Sequence, residues 1–376
     1  MNTSVPVNTP LLAGHELDYV QQCLREGWLS GEGPFIAKFE QAFSSYIGMK
    51  HGVAVSSGSA ALDIAVAALG IGKGDEVIMP ALTIISPALS VVRAGATPVL
   101  VDSDPLTWNM EVAQIAGRIT SRTKAIIAVH LYGLPVDMDP LLALAAQHGI
   151  PVIEDAAEVH GQTCNGKACG SMGAISIFSF YANKHITTGE GGMVLCNDAA
   201  LAERCRKLRN LCFEPAGRRF VHHELGWNYR MTNLQAALGV AQLESLPASV
   251  NLKREMGHFY TRHLSFLEET GYRLPLTTTP YAENIYWVYG LVAPSEAGCT
   301  NTMAALADAG VGTRPFFWCM HEQPVFQQMG LFAEEQYPVA ETLARCGFYL
   351  PSGLGLTRPQ QETVVSAVRS HCSVYG

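Results

Sequence analysis

Three short segments of this chain bring together residue types that can bind a phosphate, hold a heterocyclic cation and supply an amine. In the first, Ser56-Ser57-Gly58-Ser59-Ala60-Ala61-Leu62, an apolar run ends in small residues and opens into a helix-forming stretch. A helix N-terminus presents free N–H groups and positive dipole potential, Gly58 permits close backbone approach, and the Ser59 hydroxyl can donate. An ordinary capped helix would use the same residues. In the second, Pro151-Val152-Ile153-Glu154-Asp155-Ala156-Ala157-Glu158, a strand-like run leads straight into acids. An aspartate there can pair with a protonated ring nitrogen or start the next helix as its cap. In the third, 176–192, an apolar run delivers Lys184 into a polar, glycine-rich turn. Desolvation there would favour the neutral amine that forms Schiff bases with aldehydes. Asp155 and Lys184 lie 29 residues apart, and together the three segments form the set needed to hold pyridoxal phosphate.

The elements that must position these residues are legible as period and punctuation. Short β-branched runs recur at 53–56, 76–79, 98–102, 125–130, 151–155, 174–180 and 193–196. Helix-period stretches at 60–69, 140–148 and 201–211 lie between most of them. This alternation predicts an α/β domain with a mainly parallel sheet covered on both faces, whose ligands sit at the carboxyl ends of strands. It fades after a helix at 235–246, so the expected units are 1–246 and 247–376, the second with a helix at 252–270 and strands near 285–292 and 312–317.

Composition excludes several function classes. The 376 residues carry 25 Lys+Arg against 33 Asp+Glu, a net charge of −8, and the one basic cluster, 204–207, reads as an exposed helix face. Nucleic acid is therefore not an expected partner. With 48% hydrophobic and 15% charged residues the chain can bury a large core, and no window of about 18 apolar residues or secretory leader is evident, so neither a membrane partner nor export is expected. Ten scattered cysteines lack a C-x-x-C pair, which predicts reduced thiols in a cytoplasmic protein and no metal site. The glycines of 70–74 follow a helix and precede a strand, the reverse of the dinucleotide-binding order.

In this order and spacing the segments resemble the DegT/DnrJ/EryC1/StrS sugar-nucleotide aminotransferases. Further matches are Gly27-Trp28-Leu29-Ser30 with Phe39-Glu40, Gly74-Asp75-Glu76-Val77-Ile78, Gly95-Ala96-Thr97-Pro98-Val99, His130-Leu131-Tyr132-Gly133, Thr188-Gly189-Glu190-Gly191-Gly192 and Asn228-Tyr229-Arg230-Met231-Thr232-Asn233. The resemblance implies a fold-type I pyridoxal-phosphate transferase: a seven-stranded, mainly parallel sheet flanked by helices, plus a smaller C-terminal α+β domain. It also implies Lys184 as the Schiff-base lysine, Asp155 beside the pyridine nitrogen and Glu158 near the phenolic oxygen. Gly58, Ser59 and Ser179 would hold the phosphate, joined by Asn228 from a second subunit of a homodimer with shared sites.

The implied reaction moves an amino group from L-glutamate to the C4 keto group of a nucleotide-linked 4-keto-6-deoxy sugar, with pyridoxamine phosphate as intermediate. Resemblance is greatest to members acting on GDP-4-keto-6-deoxymannose; UDP- and dTDP-linked sugars are the alternatives. A sugar 3-dehydratase would carry histidine at the lysine position, but the spacing from Ser179 lands on Lys184, with His185 following. A non-catalytic sensor would be expected to lack the lysine, the aspartate or the cradle. Arg230, Arg314 and His321 are candidates for the substrate diphosphate or the donor carboxylate, with structural ion pairs as the alternative. Trp287 and Tyr289 could stack on a nucleotide base or fill the core of the second unit, and core is the reading taken for both. Ile84 departs from the family, which commonly places an aromatic there against the cofactor ring.

Overall fold

The computed structural model describes residues 4–214, 217–218 and 220–372. Strands β1 (His51–Val55), β2 (Glu76–Pro80), β3 (Thr97–Val101), β4 (Thr123–Val129) and β5 (Val152–Asp155) precede a two-strand ribbon, β6 (Thr163–Cys164) and β7 (Lys167–Ala168). After them come β8 (Ile175–Ser179) and β9 (Gly192–Cys196). Seven of the nine form one sheet in the order β1-β9-β8-β5-β4-β2-β3, and β9 alone runs against the others. They coincide with the seven apolar runs.

Strand alternation explains why those runs are almost uninterrupted. Val53 and Val55, Val77 and Met79, and Ile127 and Val129 feed one core. Their neighbours Ala54, Ile78 and Ala128 feed a second core on the other face. The first is covered by the helix Gly58–Ala68, buried from Ala60 through Val66. The second is covered by the helices Pro34–Ile47 and Asn233–Glu244, through Phe35, Phe39, Phe43, Ala237 and Val240. A sheet buried on both faces has no solvent side on which to place polar residues.

Past Ser245 the helix Leu246–Leu264 leads into a smaller antiparallel sheet of β10 (Tyr289–Val292), β11 (Arg314–Pro315) and β12 (Gly347–Leu350), in the order β10-β12-β11. A third core of Tyr260, Leu264, Tyr289, Leu291, Phe348 and Val364 lies beneath it. Two of these strands are shorter than expected, and the central one, β12, was not anticipated. It follows the helix Pro338–Cys346 without a break, so periodicity gives no boundary. The helix expected at 252–270 starts earlier, at Leu246, and its last turns, Ser265–Thr270, are 3-10. The basic cluster at 204–207 is not a free stripe: Cys205 is buried, and Arg204, Arg206 and Lys207 pair with Glu224, Glu203 and Glu214. No helix among the described residues is long and apolar enough to cross a membrane.

Candidate active site

The carboxyl ends of β1, β4, β5 and β8 open onto one cavity of about 310 Å³, and all three chemistry-bearing segments meet there. At one side the Ser57 hydroxyl caps the helix Gly58–Ala68 by accepting from Ala60 N at 3.1 Å. Capping thus falls to Ser57 and not to Ser59. Ser59 faces the cavity, its Oγ 2.8 Å from Ser86 Oγ. A Cβ on Gly58 would lie 2.8 Å from Ser179 Cβ, so glycine lets the helix end sit against β8 and brings Ser179 into the cradle. With hydroxyls, a glycine backbone and a helix N-terminus together, this end fits a phosphate.

Alternation along β5 separates the roles of its two acids. Glu154 is fully buried away from the cavity, 3.0 Å from His130 Nε2, and accepts from the backbone N–H groups of Gly170, Met172 and Gly173. Burial would raise its pKa, but His130 and these donors outweigh burial and hold it below its ordinary value. Asp155 lines the cavity and accepts from Ala157 N at 3.1 Å. Burial pushes it up to about 6 against the pull of that N–H, Lys184 and His130. A buried carboxyl of this kind gains most from a cationic partner, and a protonated pyridine nitrogen is one.

Lys184 reaches the cavity from the turn after β8, its side chain nine-tenths buried and its Nζ 3.7 Å from Glu158 Oε1. Burial lowers its pKa, opposed by Glu158 and Asp155, and raises that of Glu158, opposed by Lys184. His185 turns away from the cavity, fully buried with Nε2 3.3 Å from Ile285 O. Lysine, not histidine, therefore faces the cavity.

Tyr132 and Trp287 join this group without having been assigned to it from sequence. Tyr132 adopts φ 57°, and its N–H donates to Glu158 Oε2 at 2.8 Å while its hydroxyl accepts from Phe317 N at 3.0 Å. Beside it Gly133 has φ 102°, and a Cβ there would lie 2.5 Å from Trp287 N. That close approach sets the Trp287 ring on the cavity wall, with Lys184 Nζ 3.8 Å from its centroid. Tyr289 lies in the core, as expected. Ile84 lines the cavity at 43% exposure. The His130-to-Gly133 motif was visible in the sequence, but a positive φ and a contact across about 155 residues were not.

Four predicted residues lie outside this cavity. Asn228 is exposed and bridges to Asn210. Arg230 donates to Asn210 Oδ1, and exposed Arg314 donates to Thr313 O. Buried His321 sits 3.1 Å from Glu341 Oε1. Among the described residues the metal-type clusters are His130, Glu154 and Cys169, and His321, Glu322 and Glu341. Backbone N–H groups engage His130 and Glu154 of the first, and Arg345 pairs with both glutamates of the second. Size does not single out this cavity: one of about 310 Å³ around Tyr272 and Ser295 equals it and one of about 340 Å³ around Lys253 and Gly353 exceeds it, but neither lies at the strand ends of the large sheet.

A buried lysine and aspartate facing a glycine–serine cradle at the strand ends of such a sheet define a fold-type I, pyridoxal-phosphate-dependent aminotransferase. The chain is 42% identical to the GDP-perosamine synthase of Caulobacter vibrioides over 97% of each chain. It is 40% identical to that of Escherichia coli O157:H7, over 98% of this chain and 99% of the relative. Among solved structures, DesV of S. venezuelae in complex with a ketimine intermediate is 34% identical with a TM-score of 0.88, covering 95% of this chain and 94% of DesV. The aminotransferase TlmJ of Streptoalloteichus hindustanus is 30% identical with a TM-score of 0.92, covering 99% and 100%. The chain belongs to the DegT/DnrJ/EryC1/StrS aminotransferase family, whose sequence model matches residues 10–369.

Proposed function

We propose that this enzyme transfers the amino group of L-glutamate to C4 of GDP-4-keto-6-deoxymannose, forming GDP-perosamine for surface polysaccharide. The observation that carries the aminotransferase chemistry is Lys184 on the cavity wall with Asp155 and Glu158 beside it. The choice of sugar nucleotide is supported by full-length similarity to GDP-perosamine synthases from three organisms, at 35–42% identity.

Each side chain has a distinct task. Gly58, Ser59 and Ser179 bind the phosphate. Asp155 would pair as the carboxylate with the pyridine nitrogen and favour its protonated form. When bound, pyridoxal phosphate supplies the carbonyl that takes up the amino group and the ring that absorbs the electron pair. Lys184, lowered by burial, serves as the neutral amine that removes the α-proton of the donor and returns a proton at C4 of the sugar. Glu158, fixed by Tyr132 N–H, lies within reach of Lys184 and takes up its charge changes.

A homodimer fits this arrangement. Asn228 is exposed and outside its own cavity, and Trp28, Leu29, Tyr181 and Leu225 are exposed apolar residues. We assign Asn228 to the phosphate of a second copy, and leave Arg230, Arg314 and His321 as weaker candidates for the substrate anions. Ten buried free thiols suit a reducing compartment, the cytoplasm.

The test is mass spectrometry of the purified enzyme with pyridoxal phosphate, L-glutamate and GDP-4-keto-6-deoxymannose. The expected product is a GDP-linked 4-amino sugar, reduced at least 10³-fold in Lys184→Ala, a magnitude typical for losing a combined acid–base and nucleophile. A 3-deoxy product would establish the dehydratase instead. Cofactor turnover by glutamate with the GDP sugar untouched would move the assignment to UDP- or dTDP-linked sugars.

A further inference from the structure

The Trp287 ring is held toward Lys184 from several sides, more than packing requires. Its Nε1–H donates to Asn183 O at 2.8 Å, tying the indole to the loop that carries the lysine. Its own carbonyl accepts from Lys253 Nζ at 2.9 Å, a fully buried amine whose second partner is Ser352 O. Tyr132 lies parallel to it, at an interplanar angle of 14° and a centroid distance of 6.1 Å. Lys184 Nζ sits 3.8 Å from the ring centroid, well inside the range in which an ammonium is attracted to an indole face.

We propose that Trp287 is a positioning residue for Lys184: its ring face, with Glu158 Oε1 beside it, is the seat of the lysine amine whenever that amine is free and protonated. The inference rests on Lys184 being the reacting amine of the proposed function. An amine released by the incoming donor needs a place within the cavity, close to the reacting carbon and shielded from water. The indole supplies attraction without a second negative charge. It therefore favours the ammonium less than another carboxylate would, and leaves the amine able to lose its proton for the next transfer.

The titratable groups around this amine are Asp155 at the end of β5, Glu158 and His160 after it, Tyr132 after β4, Tyr349 of β12, His185 in the same loop and Lys253 behind it. None carries the indole ring, so ring fluorination isolates the indole. Fluorine withdraws electron density from the ring face while nearly preserving its shape.

The full-length protein, stripped of cofactor and made with tryptophan, 5-fluorotryptophan or a trifluorinated tryptophan, would be labelled with trace acetic anhydride between pH 6 and 11. The Lys184 peptide would be quantified by mass spectrometry, with the exposed Lys167 in the same digest as reference. The apparent pKa of Lys184 is expected to fall stepwise with fluorination, by roughly 0.5 to 1.5 pH units in all. In Trp287→Phe the same fluorinated amino acids are expected to leave it unmoved. A titration that ignores fluorination in the parent protein, or responds equally in Trp287→Phe, would overturn the proposal. If Trp287→Phe does not fold, Trp287→Tyr takes its place as the control that lacks an indole at position 287 while the other four tryptophans are fluorinated. Borohydride trapping of pyridoxal phosphate on the parent protein tests the underlying reading separately. An adduct on another lysine would overturn that reading, while the fluorine series still decides where the Lys184 amine rests.

Discussion

Asp155→Asn separates what burial does to this carboxyl from what the carboxylate does for the cofactor. Burial pushes Asp155 up to about 6 from 3.8, so between those values the native chain keeps a proton that the unfolded chain has released. Stability therefore falls as pH rises through that window and stays lower above it. A shift of about 2 units corresponds to roughly 3 kcal/mol at pH 8, against almost nothing near pH 4. The amide keeps an oxygen for Ala157 N–H and has no charge to desolvate. Urea unfolding of cofactor-free protein should accordingly show Asp155→Asn more stable than the parent by roughly 1 to 3 kcal/mol at pH 8, with the gap closing toward pH 4. Fluorescence titration with pyridoxal phosphate should show the opposite preference. Losing a charge-assisted hydrogen bond to the ring nitrogen weakens binding on the order of 10- to 100-fold. A stability gap that does not widen with pH would refute the burial argument, and unchanged affinity would refute the assignment of Asp155 to the ring nitrogen.

Gly133→Ala places a methyl 2.5 Å from Trp287 N at a positive φ, so a loss of roughly 1 to 3 kcal/mol in urea unfolding is expected; a neutral result would mean that the 286–287 segment is free to retreat. Ile84→Phe adds an aromatic face at the half-exposed cavity edge and should tighten pyridoxal phosphate roughly 2- to 10-fold by equilibrium titration, whereas looser binding would show that the ring does not lie against this residue. Lys253 is lowered to about 7 by burial, so the unfolded chain holds a proton that the native chain lacks between pH 7 and 10.5, and stability rises with pH across that window. Lys253→Met should remove that rise in a comparison of unfolding at pH 7 and 9, and an identical pH dependence in the two proteins would contradict it.

Most of the large sheet was legible in the sequence, because a strand buried on both faces must be apolar along its whole length and loses its pattern abruptly at its ends. The seven runs could therefore be counted, and their carboxyl ends marked where Ser57–Ser59, Asp155 and Lys184 would meet. Residue types at those ends already specified the chemistry: a phosphate cradle, an acid for a ring nitrogen and a buried amine. The five-residue spacing from Ser179, matched to the family pattern, also told Lys184 from His185.

What depended on the tertiary structure was everything set by contacts between distant segments. Alternation puts Glu154 and Asp155 on opposite faces of β5, but that Glu154 meets His130 while Asp155 meets the cavity is decided by how β5 is placed among its neighbours. Trp287 reads as core by composition and is indeed buried, yet the approach permitted by Gly133 turns its face to Lys184. Tyr132 holds Glu158 through a backbone conformation that its side chain does not advertise. Arg230, Arg314 and His321 have the right charge for an anionic substrate, but within this chain Arg230 bonds Asn210 and His321 bonds Glu341, while Arg314 stays exposed outside the cavity. Charge and residue type are properties of the sequence, whereas which neighbour claims a side chain is settled by packing.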